Sequence, residues 1–222
     1  RIAVCDPVYP VYVDTNVMAG RTGEYDPKSE TWSNVIYMPC VAANNFAPEL
    51  PKEVPDLIYL CFPNNPTGAI MEREDLEAIA KIVEEKDLFV ISDEIYSELT
   101  YKGNPVSITQ IPGMRERTVL INGFSKAYAM TGWRLGYACG PEVILKQMLK
   151  IHQFAIMCAP TTSQYAAVEA LKNGEEDVLT MREAYNQRRR YLMHAFKEMG
   201  LECFEPFGAF YVFPCIKEFG MT

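Results

Sequence analysis

Hydrophobic residues are concentrated in short, nearly continuous runs, separated by longer stretches in which they recur every three or four positions. A continuous apolar run of about five residues is typical of a strand buried on both faces of a sheet. Strands that alternate with amphipathic helices indicate an α/β fold, with a mostly parallel sheet sandwiched by helices. The predicted strands are residues 1–5, 34–39, 56–61, 88–92, 118–122 and 135–139.

Four amphipathic stretches predict the helices. The clearest one has apolar residues at the i, i+3, i+4 and i+7 positions from Leu76 to Val83, which places them on one buried stripe. Residues 6–12 are predicted to form a loop stiffened by prolines, and residues 14–55 to be irregular apart from the strand at 34–39. The predicted helices are residues 73–86, 141–154, 161–172 and 176–199.

The long last helix is followed by two apolar segments, 201–204 and 209–213, which predict a pair of strands. A long helix that leads into new strands suggests passage into a second domain. We therefore divide the chain into a large domain at 1–176 and, at 177–222, an interdomain helix with the start of a smaller α+β domain. The chain begins in a predicted strand without an initial Met, and it stops soon after the predicted strand at 209–213. We therefore expect both domains to be truncated pieces of a longer protein.

Composition narrows the classes of function. The chain has 222 residues, of which 49% are hydrophobic and 23% charged, as expected of a soluble protein with a core. Its net charge of −8 and its scattered basic residues argue against nucleic acid as a partner. No apolar run approaches the ~20 residues that a membrane-spanning helix needs, so we expect no membrane partner.

Cysteine and histidine usage argues against disulfides and metal sites. The chain has seven cysteines, an odd number without Cys-x-x-Cys spacing, which is typical of buried thiols in a reducing compartment such as the cytoplasm. The two histidines, His152 and His194, fall in predicted helices. We interpret both as structural and expect no bound metal.

The most informative segment for chemistry surrounds the strand at 118–122. Lys126 follows this strand closely, and Arg134 follows eight residues later. A lysine at the carboxyl end of a buried strand is poorly placed for a solvated charge but well placed to condense with the aldehyde of a cofactor. Arg134 offers a planar fork of donors that suits a phosphate group. Taken alone, each could also be an ordinary charged residue.

Two further polar residues follow predicted strands. Asn65 comes after the strand at 56–61, and Asp93 comes directly after the strand at 88–92. In open α/β sheets, ligands bind at the carboxyl ends of the strands, so Asn65, Asp93 and Lys126 are expected at one edge. Together these residues offer an amide, a carboxylate, a reactive amine and a phosphate-binding arginine. Pyridoxal 5′-phosphate is a ligand that needs all four groups.

Each of these residues has a chemical role toward that cofactor. Asp93 would keep the ring nitrogen protonated, which makes the ring an electron sink. Asn65 and the Tyr96 hydroxyl would hold the ring oxygen, and Tyr9, held between two prolines, would stack on the ring. The simpler interpretations are a helix N-cap for Asp93 and core packing for the tyrosines, and for Tyr12 we prefer core packing.

Three motifs, Asn-Pro-Thr-Gly at 65–68, Asp-Glu-Ile-Tyr at 93–96 and Ser-Lys at 125–126 with Arg134, resemble the class I and II aminotransferases of fold-type I. The resemblance covers nearly the whole chain. It implies a large domain with a mostly parallel sheet, a smaller domain, and a homodimer with active sites at the interface. It also implies the following roles: Lys126 as the cofactor lysine, Asp93 on the ring nitrogen, Asn65 and Tyr96 on the ring oxygen, Arg134 on the phosphate and Tyr9 on the ring face. The expected catalytic residues are Lys126, Asp93 and Tyr96.

The chain departs from the family pattern at one phosphate contact. Many relatives have Ser three residues before the lysine, where this chain has Gly123. Ser125 is the candidate to replace that contact. The family's phosphate-binding helix would precede residue 1, and its arginine for the substrate carboxylate would follow residue 222.

The resemblance leaves the substrate open. Residues 1–68 resemble LL-diaminopimelate aminotransferases, whereas the chain from Asp93 onward is more similar to bacterial aspartate and aromatic aminotransferases. The expected reaction of amino-acid metabolism moves an amino group between an amino acid, such as LL-diaminopimelate or aspartate, and 2-oxoglutarate. Two alternatives remain: a carbon–sulfur β-lyase, since the motifs do not fix which bond breaks, and the aminotransferase-like sensor domain of a transcription regulator.

Overall fold

The computed structural model describes residues 1–220 and contains a six-stranded sheet and a separate two-stranded hairpin. The strands, in chain order, are β1 (Ile2–Asp6), β2 (Tyr25–Asp26), β3 (Thr31–Trp32), β4 (Val35–Pro39), β5 (Leu57–Cys61), β6 (Phe89–Asp93), β7 (Thr118–Gly123) and β8 (Gly136–Cys139).

The large sheet has the spatial order β4-β1-β5-β6-β7-β8, and β2 pairs with β3 in the hairpin. Every neighbouring pair in the large sheet is parallel except β7 and β8, which are antiparallel. The register aligns Cys61 with Asp93 and Asp93 with Ile121, so β5, β6 and β7 end at the same edge. The predicted α/β fold with a mostly parallel sheet is therefore confirmed.

Helices cover both faces of the sheet, and the four predicted ones are confirmed to within two residues at each end. The stripe from Leu76 to Val83 is buried, as its spacing predicted. The helices are α1 (Val11–Met18), α2 (Arg73–Glu85), α3 (Phe124–Ala127), α4 (Glu142–Ala155), α5 (Thr161–Asn173) and α6 (Glu175–Glu198).

Helix α1 lies where the sequence predicted loop and irregular structure, and that prediction was wrong. Its apolar residues stand in two blocks, at 11–13 and 17–18, around the polar Asp-Thr-Asn at 14–16, so no continuous apolar stripe marks the helix. The helix begins behind Pro10, whose φ of −58° is already helical. Tyr12 and Asn16, one turn apart, form its buried face.

The predicted strands at 201–204 and 209–213 do not form. In their place are two isolated antiparallel bridges, Cys203 with Pro214 and Thr100 with Gly208. The segment at 208–211 packs back toward the end of β5, since the Gly208 N–H donates to the Gly68 carbonyl at 2.9 Å. A Cβ on Gly208 would lie 2.4 Å from Pro63, so this approach requires glycine. These backbone contacts take the place of strand pairing.

The division into domains at 1–176 and 177–222 stays a prediction. Its boundary falls in the first turn of α6. The last two residues of the predicted second domain, 221–222, lie outside the described residues.

The two faces of the large sheet carry separate cores, as side-chain alternation along a strand requires. Ala3 and Cys5 of β1 belong to the core that includes α2, whereas Ile2 and Val4 belong to the core that includes Tyr12 of α1. Within residues 1–220, no helix is both long and apolar enough to cross a bilayer.

The prediction of buried thiols holds for only some of the cysteines. Cys5, Cys40 and Cys61 are buried in the cores of the sheet, and Cys203 is half-buried. The prediction was wrong for three exposed cysteines, one on the edge strand β8, one between α4 and α5, and one after α6. These are Cys139, Cys158 and Cys215.

Candidate active site

The loop after β5 carries Asn65 to the carboxyl edge of the sheet. Its neighbour Asn64 is buried and shapes the loop: Asn64 donates to the Cys61 carbonyl at 3.3 Å and accepts from the Thr67 hydroxyl at 2.9 Å. Asn65 is half-buried, and its side chain makes no hydrogen bond with any residue of 1–220. Its amide is therefore available to a ligand.

Asp93 ends β6 as a mostly buried carboxylate. One oxygen accepts a hydrogen bond from the Tyr12 hydroxyl at 2.6 Å, and the other accepts from the Ile95 N–H at 3.1 Å. Burial raises the pKa of Asp93, and the two hydrogen bonds partly oppose that rise. None of the ion pairs within residues 1–220 involves Asp93, so a cationic ligand atom would be favoured here.

Tyr12 combines two roles, of which sequence reasoning predicted only the first. It is 8% exposed and stacks on Tyr59 at 5.3 Å between ring centroids, as a core aromatic residue does. Its hydroxyl also reaches Asp93, a contact that the sequence analysis missed. The spacing of Tyr12 and Asn16 by one helical turn was the available signal, and the lack of a continuous apolar stripe in α1 obscured it.

Lys126 lies on the short helix α3, directly after β7. Its Nζ atom is 5.7 Å from the ring centroid of Tyr96 and 5.3 Å from that of Phe210. No acidic side chain within the described part of the chain pairs with it. The amine therefore faces aromatic rings close to the end of β7.

The backbone around Gly123 is crowded. A Cβ at this position would lie 2.9 Å from the Gly136 Cα and 3.1 Å from the Leu135 carbonyl. The backbone that enters β8 therefore leaves no room for a serine without local movement. Ser125 is half-buried on α3, and its side chain makes no hydrogen bond with residues 1–220.

Tyr96 is 4% exposed and takes its partner from a distant segment. Its hydroxyl lies 2.6 Å from the Tyr211 hydroxyl, and its ring meets the Phe210 ring edge-on at 5.3 Å. Burial, followed by the bond to Tyr211, raises the pKa of Tyr96 far above its usual range. Sequence reasoning missed both partners, because it took 209–213 for a strand of another domain.

Arg134 and Tyr9 lie at the solvent-exposed side of the site. Arg134 is exposed, and its guanidinium donates to the Thr131 carbonyl at 2.8 Å. Its φ of 52° is left-handed, a strained conformation that is enriched at functional sites. Tyr9 is 41% exposed and meets the Tyr12 ring edge-on at 5.7 Å. No hydrogen bond or ion pair among residues 1–220 joins Arg134 to the other predicted site residues.

The donor set fits a phosphorylated pyridine aldehyde. A buried carboxylate without a cation suits a protonated ring nitrogen, and an amine without an anion suits an aldehyde. An exposed arginine suits a phosphate. The residues are Asp93, Lys126 and Arg134, with Asn65, Tyr96 and Tyr9 around them.

Comparisons with known proteins place these residues in a family context. Residues 1–218 match the profile described as "Aminotransferase class I and II". The chain is 50% identical over 143 residues to an LL-diaminopimelate aminotransferase of Lachnospira eligens, covering 64% of this chain and 35% of that protein. It is 41% identical over 231 residues to an aspartate aminotransferase of Pyrococcus abyssi, covering 100% of this chain and 56% of that protein.

A solved structure gives the same fold. The aromatic aminotransferase from Pyrococcus horikoshii OT3 superposes with a TM-score of 0.88 at 37% identity, covering 100% of this chain and 58% of that one. The chain thus spans between about a third and somewhat over half of the length of these relatives.

Proposed function

Because the chain belongs to the class I and II aminotransferase family, we propose that its protein is a pyridoxal 5′-phosphate-dependent aminotransferase, which moves an amino group between an amino acid and a 2-oxo acid. One observation carries the proposal. The Lys126 amine, without an acidic partner in residues 1–220, and the buried Asp93 carboxylate, without a basic one, follow adjacent strands at one sheet edge.

The cofactor of this family is pyridoxal 5′-phosphate, as the sequence predicted, and when bound it draws electrons from the substrate α-carbon. Lys126 Nζ would hold its aldehyde carbon and, once released, would carry a proton to and from the substrate α-carbon. Asp93 would hold the proton on the ring nitrogen. The other holding residues would be Asn65 and Tyr96 for the ring oxygen, Arg134 and Ser125 for the phosphate, and Tyr9 for the ring face.

The surroundings of Lys126 are aromatic. Its Nζ atom lies within cation–π range of the Tyr96 and Phe210 rings, at 5.7 Å and 5.3 Å from their centroids.

The finer assignments are also proposals. We propose aspartate or LL-diaminopimelate as the amino donor and 2-oxoglutarate as the acceptor, supported by the names of the two sequence relatives. The whole protein is proposed to be a cytoplasmic homodimer. We further propose that 1–176 belong to the large domain and that 177–222 lead into the smaller one.

Product analysis of the full-length protein tests the reaction. With LL-diaminopimelate, aspartate and cystathionine supplied in turn with 2-oxoglutarate, we expect glutamate from one of the first two. Pyruvate and ammonia without any need for 2-oxoglutarate would indicate the carbon–sulfur β-lyase. Cofactor binding without any product would indicate the sensor domain. Lys126→Ala is the control that must abolish whichever product forms.

A further inference from the structure

We propose that Tyr12 is a positioning residue of this active site, whose hydroxyl fixes the Asp93 carboxylate at the end of β6 and keeps it negatively charged for the cofactor. The proposal rests on the proposed function only for the identity of the group that Asp93 serves. The contact itself is a property of the chain, since α1 delivers the hydroxyl to β6 across 81 positions of sequence.

The geometry holds both carboxylate oxygens. The Tyr12 hydroxyl donates to Oδ2 at 2.6 Å, and the Ile95 N–H donates to Oδ1 at 3.1 Å. The first distance is in the range of a strong hydrogen bond from a hydroxyl to a carboxylate. Because the two donors come from different segments, the carboxylate cannot rotate without losing one of them.

Tyr12 is itself held in place. Its ring stacks on Tyr59 with 26° between the ring planes. Asn16 donates to the Tyr12 carbonyl at 2.7 Å and to the Tyr59 hydroxyl at 3.1 Å, which ties both tyrosines to one turn of α1. Burial, together with the nearby Cys61 and Asp93, raises the pKa of Tyr12 far above its usual range, so the hydroxyl stays protonated and can donate.

The other titratable groups that lie around Asp93, which are Cys61, Glu94 and Tyr96, are not positively charged. Cys61 of β5 lies beside it, and burial raises the pKa of that thiol to about 12, so it stays neutral. Glu94 is a buried carboxylate that accepts from Ser92 at 2.9 Å, and Tyr96 is a protonated phenol. Within residues 1–220, Tyr12 therefore provides the side-chain hydrogen bond that opposes the effect of burial on Asp93.

The sign of the pH dependence follows from the raised pKa of Asp93. The folded chain binds that proton more tightly than the unfolded chain, so ionisation on raising the pH costs stability. Without the Tyr12 hydroxyl, the pKa of Asp93 rises further, because a hydrogen bond that favours the charged form is lost. The stability lost by Tyr12→Phe should therefore grow as the pH rises.

The test measures the melting temperature of the cofactor-free, full-length protein between about pH 5 and pH 9, for wild type and Tyr12→Phe. Tyr59→Phe is the matched control, because its ring belongs to the same stack but its hydroxyl does not touch Asp93. We expect a loss of melting temperature that increases with pH for Tyr12→Phe and a pH-independent loss for Tyr59→Phe. A pH-independent loss in both variants would overturn the proposal.

A second experiment places Tyr12→Phe in a protein that already carries Asp93→Asn. In Asp93→Asn protein no charge remains for Tyr12 to stabilise, so adding Tyr12→Phe should cost the same at every pH. If Tyr12→Phe alone fails to fold but the double variant folds, the proposal is supported. If Asp93→Asn alone folds but the double variant does not, the hydroxyl acts independently of Asp93 and the proposal is wrong. Since no amino transfer is measured, failure of the proposed aminotransferase activity would leave these outcomes unaffected.

Discussion

The Asp93 end of the candidate site and the Arg134 end are built in different ways. At the Asp93 end, two polar groups each have a hydroxyl partner at 2.6 Å from a remote segment, Tyr12 for Asp93 and Tyr211 for Tyr96. At the other end, the exposed Arg134 bonds only a carbonyl three residues away, Thr131, among residues 1–220. Long-range packing therefore fixes the groups proposed to hold the ring, whereas local structure sets the group proposed to hold the phosphate.

Because the two ends are built differently, we expect substitutions at the Asp93 end and at the Arg134 end to have different effects. A change at the Asp93 end alters groups that are held rigidly, so it should act mainly on the rate of reaction. A change at the Arg134 end removes a ligand contact from an exposed loop, so it should act mainly on cofactor affinity.

The largest effect is expected from Asp93→Asn in the full-length protein. Asparagine has nearly the same shape but lacks the negative charge, and loss of one preorganised electrostatic partner slows reactions about a hundredfold or more. Cofactor should still bind, because Lys126 and Arg134 remain. Steady-state kinetics and cofactor titration together check this, and a near-normal rate would remove Asp93 from the mechanism.

Arg134→Ala should weaken cofactor affinity by about ten- to a hundredfold, the typical value of a hydrogen bond to a charged group. The melting temperature of the cofactor-free protein should hardly change, because Arg134 is exposed. Arg115→Ala is a matched control, since Arg115 is also exposed and bonds a nearby carbonyl, that of Thr109. Equal affinities for the two variants would contradict the phosphate role.

Gly123→Ser tests whether the family's serine could be restored at the phosphate side. Its Cβ would meet the Gly136 Cα at 2.9 Å, so we expect a loss of about 1–3 kcal/mol in stability, as for overpacked sites. Gly132→Ser is the control, because nothing lies within 4 Å of a Cβ there. Chemical unfolding should separate the two, and similar stabilities would show that β8 yields easily.

Tyr211→Phe should give the smallest effect, a loss of about 1 kcal/mol from one hydrogen bond to Tyr96. Tyr185→Phe serves as the control, because Tyr185 packs on the same Phe210 ring but its hydroxyl makes no hydrogen bond with residues 1–220. Thermal melting measures both losses. If Tyr185→Phe costs as much as Tyr211→Phe, the hydroxyl pair contributes little.

The sequence predicted the parts of the site that depend on strand ends. Asn65, Asp93 and Lys126 follow buried apolar runs, and the ends of parallel strands necessarily meet at one edge. Tyr12, Phe210 and Tyr211 could not be found in this way. They reach the site through tertiary packing, and the hydrogen bonds of Tyr12 and Tyr211 span 81 and 115 residues of sequence.

The same limit explains the errors in secondary structure. The apolar residues of α1 do not form one helical stripe, and the face that the helix buries consists of Tyr12 and Asn16. The apolar run at 209–213 is strand-like, yet it packs as irregular chain against Tyr96. In both segments, contacts with distant residues outweigh local preference.

The central claim is that Lys126 is the residue that binds the cofactor covalently. Borohydride reduction of the full-length, cofactor-loaded protein, followed by proteolysis and mass spectrometry, tests it most directly. We expect the reduced cofactor on the peptide that contains Lys126, and no label in Lys126→Ala protein. A label on any other lysine, or an undiminished label in that variant, would contradict the assignment of the whole site.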